Sequence, residues 1–245
     1  MTTESLRMKE NNFKVSGDRC FYTLQGEGVS MGEPAVFLRL HFCNLRCRYC
    51  DTPYAVFPDR PDFKTESEDW PIEDTVKRIE GLWGCDNPKK MKRLVITGGE
   101  PLIQKGRIDL LLDRIPSWQV EIETNGTIMP TEKQLQRCVF NCSPKLSNSG
   151  NSQEARVNGE VIKALAQVDS SFKFVVTSPE DLDEIERDYV IPFNIPIDKV
   201  ILMPEGRSME ALKEHSQAVV ELAKRKGYRL LSRLQIALFG DVRRT

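Results

Sequence analysis

A chain of 245 residues with 40% hydrophobic and 29% charged residues carries enough apolar material for one large domain, and its formal net charge of -1 offers no cationic excess for a polyanion. Nucleic acid is therefore not an expected partner. No apolar run reaches the roughly 20 residues of a membrane-spanning helix, the start MTTESLRMKENN lacks the apolar stretch of a secretory leader, and the seven cysteines form no paired framework, so a cytoplasmic protein without membrane contact is expected.

In chain order, the first strand expected is PAVFLRLHF (34–42), with Val36, Leu38, Leu40 and Phe42 on one face and Phe37, Arg39 and His41 on the other. The polar FPDRPDFKTESED (57–69) reads as an exposed insertion. In PIEDTVKRIEGLWG, Pro71 suits a first helical position, Glu73 and Asp74 suit the positive end of the helix dipole, and Ile72, Val76 and Ile79 form a core stripe. Further strands are expected at 93–97, 118–124, 138–142, 172–177 and 199–203, and helices at 106–115, 158–167, 180–190 and 208–226, the last running from Ser208 as N-cap to Gly227. The polar connection 146–158 has no assignable role. Six parallel strand units fall short of a closed eight-unit barrel, so the fold expected is α/β, an open, partial six-unit (β/α) barrel. Substrate loops, the C-terminal YRLLSRLQIALFG or a second subunit would have to cover its lateral gap.

The residues after the strands are informative. Thr97 is followed by GGEP, Glu123 by TNG, Asn141 by CSPK and Met203 by PEG. Any one of these is an ordinary turn, but in parallel α/β folds the carboxyl ends of the strands share one face, where sites are built.

The first of these strands leads directly into CNLRCRYCDT, which sets Cys43, Cys47 and Cys50 within eight residues. Structural zinc takes four ligands, usually as two pairs, so a C-x3-C-x2-C triplet suits it only if Cys20 or Cys85 supplies a distant fourth. A [4Fe-4S] cluster held by three cysteines keeps one iron open for a small molecule. The remaining cysteines, Cys20, Cys85, Cys138 and Cys142, read as small apolar fillers.

Cys43-Asn-Leu-Arg-Cys47-Arg-Tyr49-Cys50 resembles the signature of radical S-adenosylmethionine (SAM) enzymes, and TGGEP (97–101) is similar to their glycine-rich strand end. Adding FYTLQGEG (21–28), CDT (50–52), ETNG (123–126), SPK (143–145) and RLQ…FG (233–240), the sequence resembles the 7-carboxy-7-deazaguanine synthase family over about residues 20–240. Residues 1–19 lie outside the resemblance and read as an N-terminal tail to a single domain at 20–245. The resemblance implies a partial barrel of the radical SAM type and ring contraction of 6-carboxy-5,6,7,8-tetrahydropterin with loss of ammonia. It further implies a [4Fe-4S] cluster, SAM and Mg2+ as cofactors, flavodoxin or ferredoxin as one-electron donor, and a homodimer.

By that resemblance Cys43, Cys47 and Cys50 hold the cluster, and Thr52 is the magnesium ligand, against a plain reading in which its hydroxyl caps the turn after Asp51. SAM falls to Tyr49, Cys50, Asp51, Gly99, Glu100, Ser143, Pro144, Lys145 and Met203, with Glu123 and Glu205 as further acceptors. The substrate falls to Leu24, Gln25, Gly26, Glu27, Arg39, Thr97 and Gln235. Arg39 either meets the substrate carboxylate or pairs with Glu121 or Glu123. His41 and His215 read as structural. Two other readings share some of these features: an activase of glycyl-radical enzymes, which LQGEG and RLQ do not suit, and a non-catalytic zinc-binding interaction domain.

Overall fold

The computed structural model describes residues 11–243. Its nine strands are β1 (Asn12–Leu24), β2 (Pro34–Leu40), β3 (Ser67–Pro71), β4 (Arg93–Gly98), β5 (Gln119–Thr124), β6 (Cys138–Cys142), β7 (Ser170–Val176), β8 (Val200–Pro204) and β9 (Arg229–Leu230). They form one sheet in the order β3-β1-β2-β4-β5-β6-β7-β8-β9. From β2 to β9 every neighbouring pair is parallel, whereas β1 runs antiparallel to β2 and β3 antiparallel to β1. The sheet is open, with β3 and β9 at its two edges.

All six expected strands are present, as β2 and β4 to β8. The helices between them include α1 (Ile72–Leu82), α2 (Lys105–Arg114), α3 (Glu132–Arg137), α4 (Gly159–Ala166), α5 (Glu180–Ile185), α6 (Met209–Lys226) and α7 (Leu234–Phe239). Ser208 caps α6 by accepting from the Ala211 N–H, and Gly227 ends it in a left-handed conformation. Pro71 lies one position before α1, and Ile72 and Ile79 enter the core as expected.

Two expectations fail at the antiparallel edge. The 57–69 stretch is not a plain insertion, because Ser67–Pro71 forms β3 on the Asn12–Ser16 half of β1. Residues 12–19, assigned to the tail, are therefore part of the sheet, and residues 1–10 lie outside the described residues. The cause is visible in burial: Phe13 and Val15, on either side of Lys14, and Trp70, after Asp69, seal the core beneath this edge.

Alternation along the parallel strands divides two environments. Val36, Leu38, Leu40, Leu94, Ile96, Val120, Ile122, Phe172, Phe174, Val176, Val200 and Leu202 all join the main core. The opposite face of the same strands carries Arg39, Thr97, Glu121, Glu123, Asn141, Ser171 and Lys173. A closed barrel of this family of folds is filled by branched apolar side chains; this one has a polar concave interior, and buried polar groups need partners.

Candidate active site

The carboxyl ends of the strands open into a cavity of about 540 Å3, within the roughly 300–1,000 Å3 usual for small-molecule sites. Cys43, Cys47 and Cys50 line one end. The chain leaves β2 through Phe42, whose φ of +79° is a strained value for a side-chain-bearing residue, and this sharp departure aims the cysteine loop over the sheet. The Glu100 N–H donates to the Phe42 carbonyl at 2.7 Å and the Gly99 N–H to the Leu40 carbonyl at 3.1 Å, so TGGEP lies directly against the root of the loop. A Cβ at Gly99 would sit 2.1 Å from the Phe42 oxygen, which is why glycine is needed there.

The loop is pinned from the far side of the sheet as well. The Arg48 N–H donates to the Ser149 carbonyl at 2.9 Å and the Arg46 N–H to Asn151 Oδ1 at 2.9 Å. The 146–151 segment, which had no assignable role, thus braces the cysteines. It is itself fixed by Glu184, which accepts from the Ser147 N–H at 2.7 Å, and by buried Arg156, which pairs with Glu184 at 2.8 Å and donates to the Lys145 carbonyl at 3.1 Å.

At the other end Glu27 is a charged node. It pairs with the Lys173 ammonium, accepts from Arg233 Nε at 2.9 Å and from Gln235 Nε2 at 2.8 Å. Burial alone would raise this carboxyl, but the Lys173 and Arg233 charges outweigh it and hold Glu27 well below the usual glutamate range. Arg233 also donates to the Gly206 carbonyl at 3.0 Å and to Asp51 Oδ2 at 2.9 Å, and the Leu234 N–H bonds the Gly26 carbonyl. The C-terminal segment therefore covers the cavity, one of the covers an open barrel was expected to need. Deeper in, Gln25 Nε2 donates to Glu121 at 2.9 Å and to Glu123 at 3.1 Å, and Thr97 Oγ1 donates to Glu123 at 2.7 Å. Burial raises the Glu121 carboxyl, and Ser30 bonds its other oxygen.

Of the residues singled out in the sequence, nearly all border this one cavity. Leu24, Gln25, Gly26, Glu27, Arg39, Thr97 and Gln235 form the β1–β4 and C-terminal wall, with Glu123 bonded to Gln25 and Thr97; Tyr49, Asp51, Thr52, Gly99, Ser143, Lys145, Met203 and Glu205 line the rest of the cavity. Arg39 sits over the Phe21 ring, at 5.9 Å from its centroid. Two residues do not border it. Glu100 is fully buried and its carboxylate is consumed by the Leu102 and Asn125 N–H groups and the Thr124 hydroxyl, so its side chain organises the strand ends. Pro144 is buried behind Ser143 and Lys145. Thr52 makes no side-chain cap bond in the turn it begins; its hydroxyl lies 3.8 Å from Cys50 Sγ.

His41 is structural as expected, packed against Phe42 and Phe63 and lowered to about 4 by burial and by Lys14. His215 is closer to the site than expected, since its Nδ1 lies 2.6 Å from the Glu205 carbonyl. The sequence reading missed Lys173, Arg233, Asn125 and Asn151. Lys173 was legible: it interrupts the apolar FKFVV at the alternation position opposite Phe172 and Phe174.

The residues suit an iron–sulfur cluster with a bound small molecule. Cys43 and Cys50 are raised by burial, Cys43 to about 11. Among the described residues no three His, Cys, Asp or Glu side chains converge closely enough to share one ion. A four-iron cube takes three thiolates at separate corners and keeps one iron open for a small molecule. The Tyr49 hydroxyl is buried with no hydrogen-bond partner among the described residues, and Gln235 Oε1 likewise. Both residues border the cavity.

Comparison with known proteins agrees with this geometry. Residues 38–142 match the Radical SAM superfamily model. The chain is 37% identical over 228 residues to a 7-carboxy-7-deazaguanine synthase of Pyrobaculum aerophilum, covering 91% of this chain and 94% of that one. It is 35% identical to the Rhodopirellula baltica enzyme of the same name, covering 100% and 93%. The solved structure of QueE from Escherichia coli shares the fold with a TM-score of 0.67 at 24% identity, over 96% of this chain and 100% of that one. A three-cysteine loop over an open parallel half-barrel, with likeness of this extent along nearly the whole length, has one reading: the chain belongs to the 7-carboxy-7-deazaguanine synthase family of radical SAM enzymes.

Proposed function

We propose that this protein contracts 6-carboxy-5,6,7,8-tetrahydropterin to 7-carboxy-7-deazaguanine, with loss of ammonia, in deazapurine biosynthesis. The observation that carries the reading is the shared cavity, with three cysteines at one end and a carboxylate- and guanidinium-lined polar chamber at the other. When bound, the cluster and SAM supply the reducing electron and the hydrogen abstraction that start the reaction. The chain's own groups position and shield. Arg39 offers a planar fork to the substrate carboxylate, while Glu27, Gln25, Thr97 and Gln235 ring the pterin edge with acceptors and donors. Tyr49, Gly99, Ser143, Lys145, Met203 and Glu205 are the proposed SAM contacts, and Asp51 holds the mouth closed through Arg233. Because the interior is prepaired, little reorganisation is needed as substrate charge shifts.

Magnesium is proposed at Thr52. Its hydroxyl makes no cap bond, its contact being the 3.8 Å one to Cys50 Sγ, and it suits a hard cation that keeps water and substrate oxygens as its other ligands; the ion would orient the substrate. A flavodoxin or ferredoxin donor and a homodimer are proposed on family likeness. Among the described residues no helix is long and apolar enough to cross a membrane.

The test is anaerobic iron–sulfur reconstitution followed by reductant, SAM and the carboxypterin. Product formation that requires both small molecules is expected. A colourless, zinc-loaded protein, or SAM cleavage indifferent to the pterin, would refute the assignment.

A further inference from the structure

Two asparagine amides, from the segments after β5 and β6, aim at sulfurs of the cysteine loop. Asn151 Nδ2 lies 3.4 Å from Cys47 Sγ, and Asn125 Nδ2 lies 3.9 Å from Cys43 Sγ. In each the direction of the amide is fixed, because the oxygen is already claimed by backbone N–H donors: Asn151 Oδ1 accepts from Arg46 at 2.9 Å, and Asn125 Oδ1 accepts from Thr127 at 3.0 Å. An acceptor locked on an N–H leaves only the NH2 end to face the sulfur. The Asn151 NH2 also meets Ser149 Oγ at 3.1 Å, and that of Asn125 meets Asn44 Oδ1 at 2.9 Å, so each group is held at two points. Asn151 is anchored in turn through the Ser149–Arg48 contact and the Glu184–Arg156 pair that brace 146–151.

We infer that Asn151, and more weakly Asn125, are positioning residues that raise the reduction potential of the cluster held by Cys43, Cys47 and Cys50. This rests on the proposed cluster assignment. Reduction adds a negative charge that is shared with the ligating thiolates. An N–H pointing at such a sulfur stabilises the reduced state more than the oxidised one, and hydrogen bonds to sulfur are among the levers that set these potentials. The benefit is specific: a cluster must accept an electron from a weak external donor, and two neutral donors assist without adding a mobile charge beside SAM.

The experiment is a redox titration of the anaerobically reconstituted protein without SAM, followed by electron paramagnetic resonance, for the parent chain, Asn151→Asp, Asn151→Ala and Asn125→Asp. The aspartates keep the acceptor for the backbone N–H and replace the donor by a carboxylate oxygen. Asn151→Asp is expected to make reduction at least about tenfold less favourable, a fall of about 59 mV for one electron. Asn151→Ala should fall less, and Asn125→Asp should shift in the same sense by a smaller amount because its contact is longer. Fully loaded Asn151 variants with the parent's potential would overturn the inference. So would a folded variant that cannot hold the cluster, which would make the amide a structural prop; Asn125→Asp, in another loop, decides the matter if the Asn151 variants do not fold. A parent chain that takes up no [4Fe-4S] cluster would instead sink the cluster assignment beneath it.

Discussion

Arg233 and Glu27, 206 positions apart, are joined by a 2.9 Å ion pair that ties the C-terminal segment to the loop after β1. The same guanidinium reaches Asp51, next to the last cysteine, so three distant segments meet on one side chain. Both members of the main pair are largely buried, at 12% and 14% side-chain exposure, and such a group left alone pays its full desolvation. Arg233→Ala is expected to lose about 1.5–3 kcal/mol of stability, the range for hydrogen bonds to charged groups, since Lys173 and Gln235 still serve Glu27. It should also raise KM by loosening the cover. Arg233→Lys keeps the charge but not the fork, so its melting temperature should recover further than its KM. Equal KM values for all three proteins would refute the covering role.

Glu27 also predicts an acid-sensitive contribution. Its folded carboxyl lies below the ordinary 4.5 because Lys173 and Arg233 overcome the cost of burial. A group depressed in the folded state stabilises fully above its unfolded value, and that stability is lost as pH falls through the folded one. The difference in melting temperature between the parent and Glu27→Gln should therefore be constant from pH 7 to about pH 5 and shrink below 4.5. A difference that stays constant down to pH 3 would contradict the ion-pair account.

Thr52 separates two roles by a substitution series. A capping hydroxyl would stabilise the turn, yet Thr52 makes no cap bond. Thr52→Ala should leave the melting temperature nearly unchanged while raising the magnesium needed for half-maximal turnover about tenfold, or about 1.4 kcal/mol. Thr52→Ser should restore most of the response. Identical magnesium curves for the three proteins would remove the metal from this residue.

What was legible in the chain was whatever local periodicity dictates. The parallel strands announced themselves because Val36, Leu38 and Leu40, or Phe172 and Phe174, alternate strictly with polar or inward residues, and the cysteine spacing located the cavity's reactive end. β3 was hidden because Ser67, Glu68 and Asp69 are polar and only Trp70 is buried, so its pairing with β1 is a tertiary effect. For a related reason the orientation of Glu100 could not be read: its motif sits at the site, but its carboxylate turns inward to three donors that sequence cannot align. Asn151 was invisible because the partners that tie it to the cysteine loop, Arg46 and Cys47, are over a hundred positions away.

Two glycines distinguish steric constraints at the two ends of the cavity. An added Cβ at Gly99 would meet the Phe42 carbonyl oxygen at 2.1 Å and its carbon at 2.5 Å, both backbone atoms at the root of the cysteine loop. Neither can move without carrying Cys43 along. At Gly26 the clash is with Gln235 Oε1 at 1.9 Å, the end of a flexible side chain. Gly99→Ala is therefore expected to lower iron content after reconstitution and to cost stability at the upper end of the roughly 1–3 kcal/mol typical of overpacking, whereas Gly26→Ala should retain iron and raise KM for the pterin. Iron and KM measured on both variants test the division. If Gly99→Ala held a full cluster while Gly26→Ala lost it, the cysteine loop would not depend on TGGEP for its position, and the two ends of the cavity would have to exchange roles.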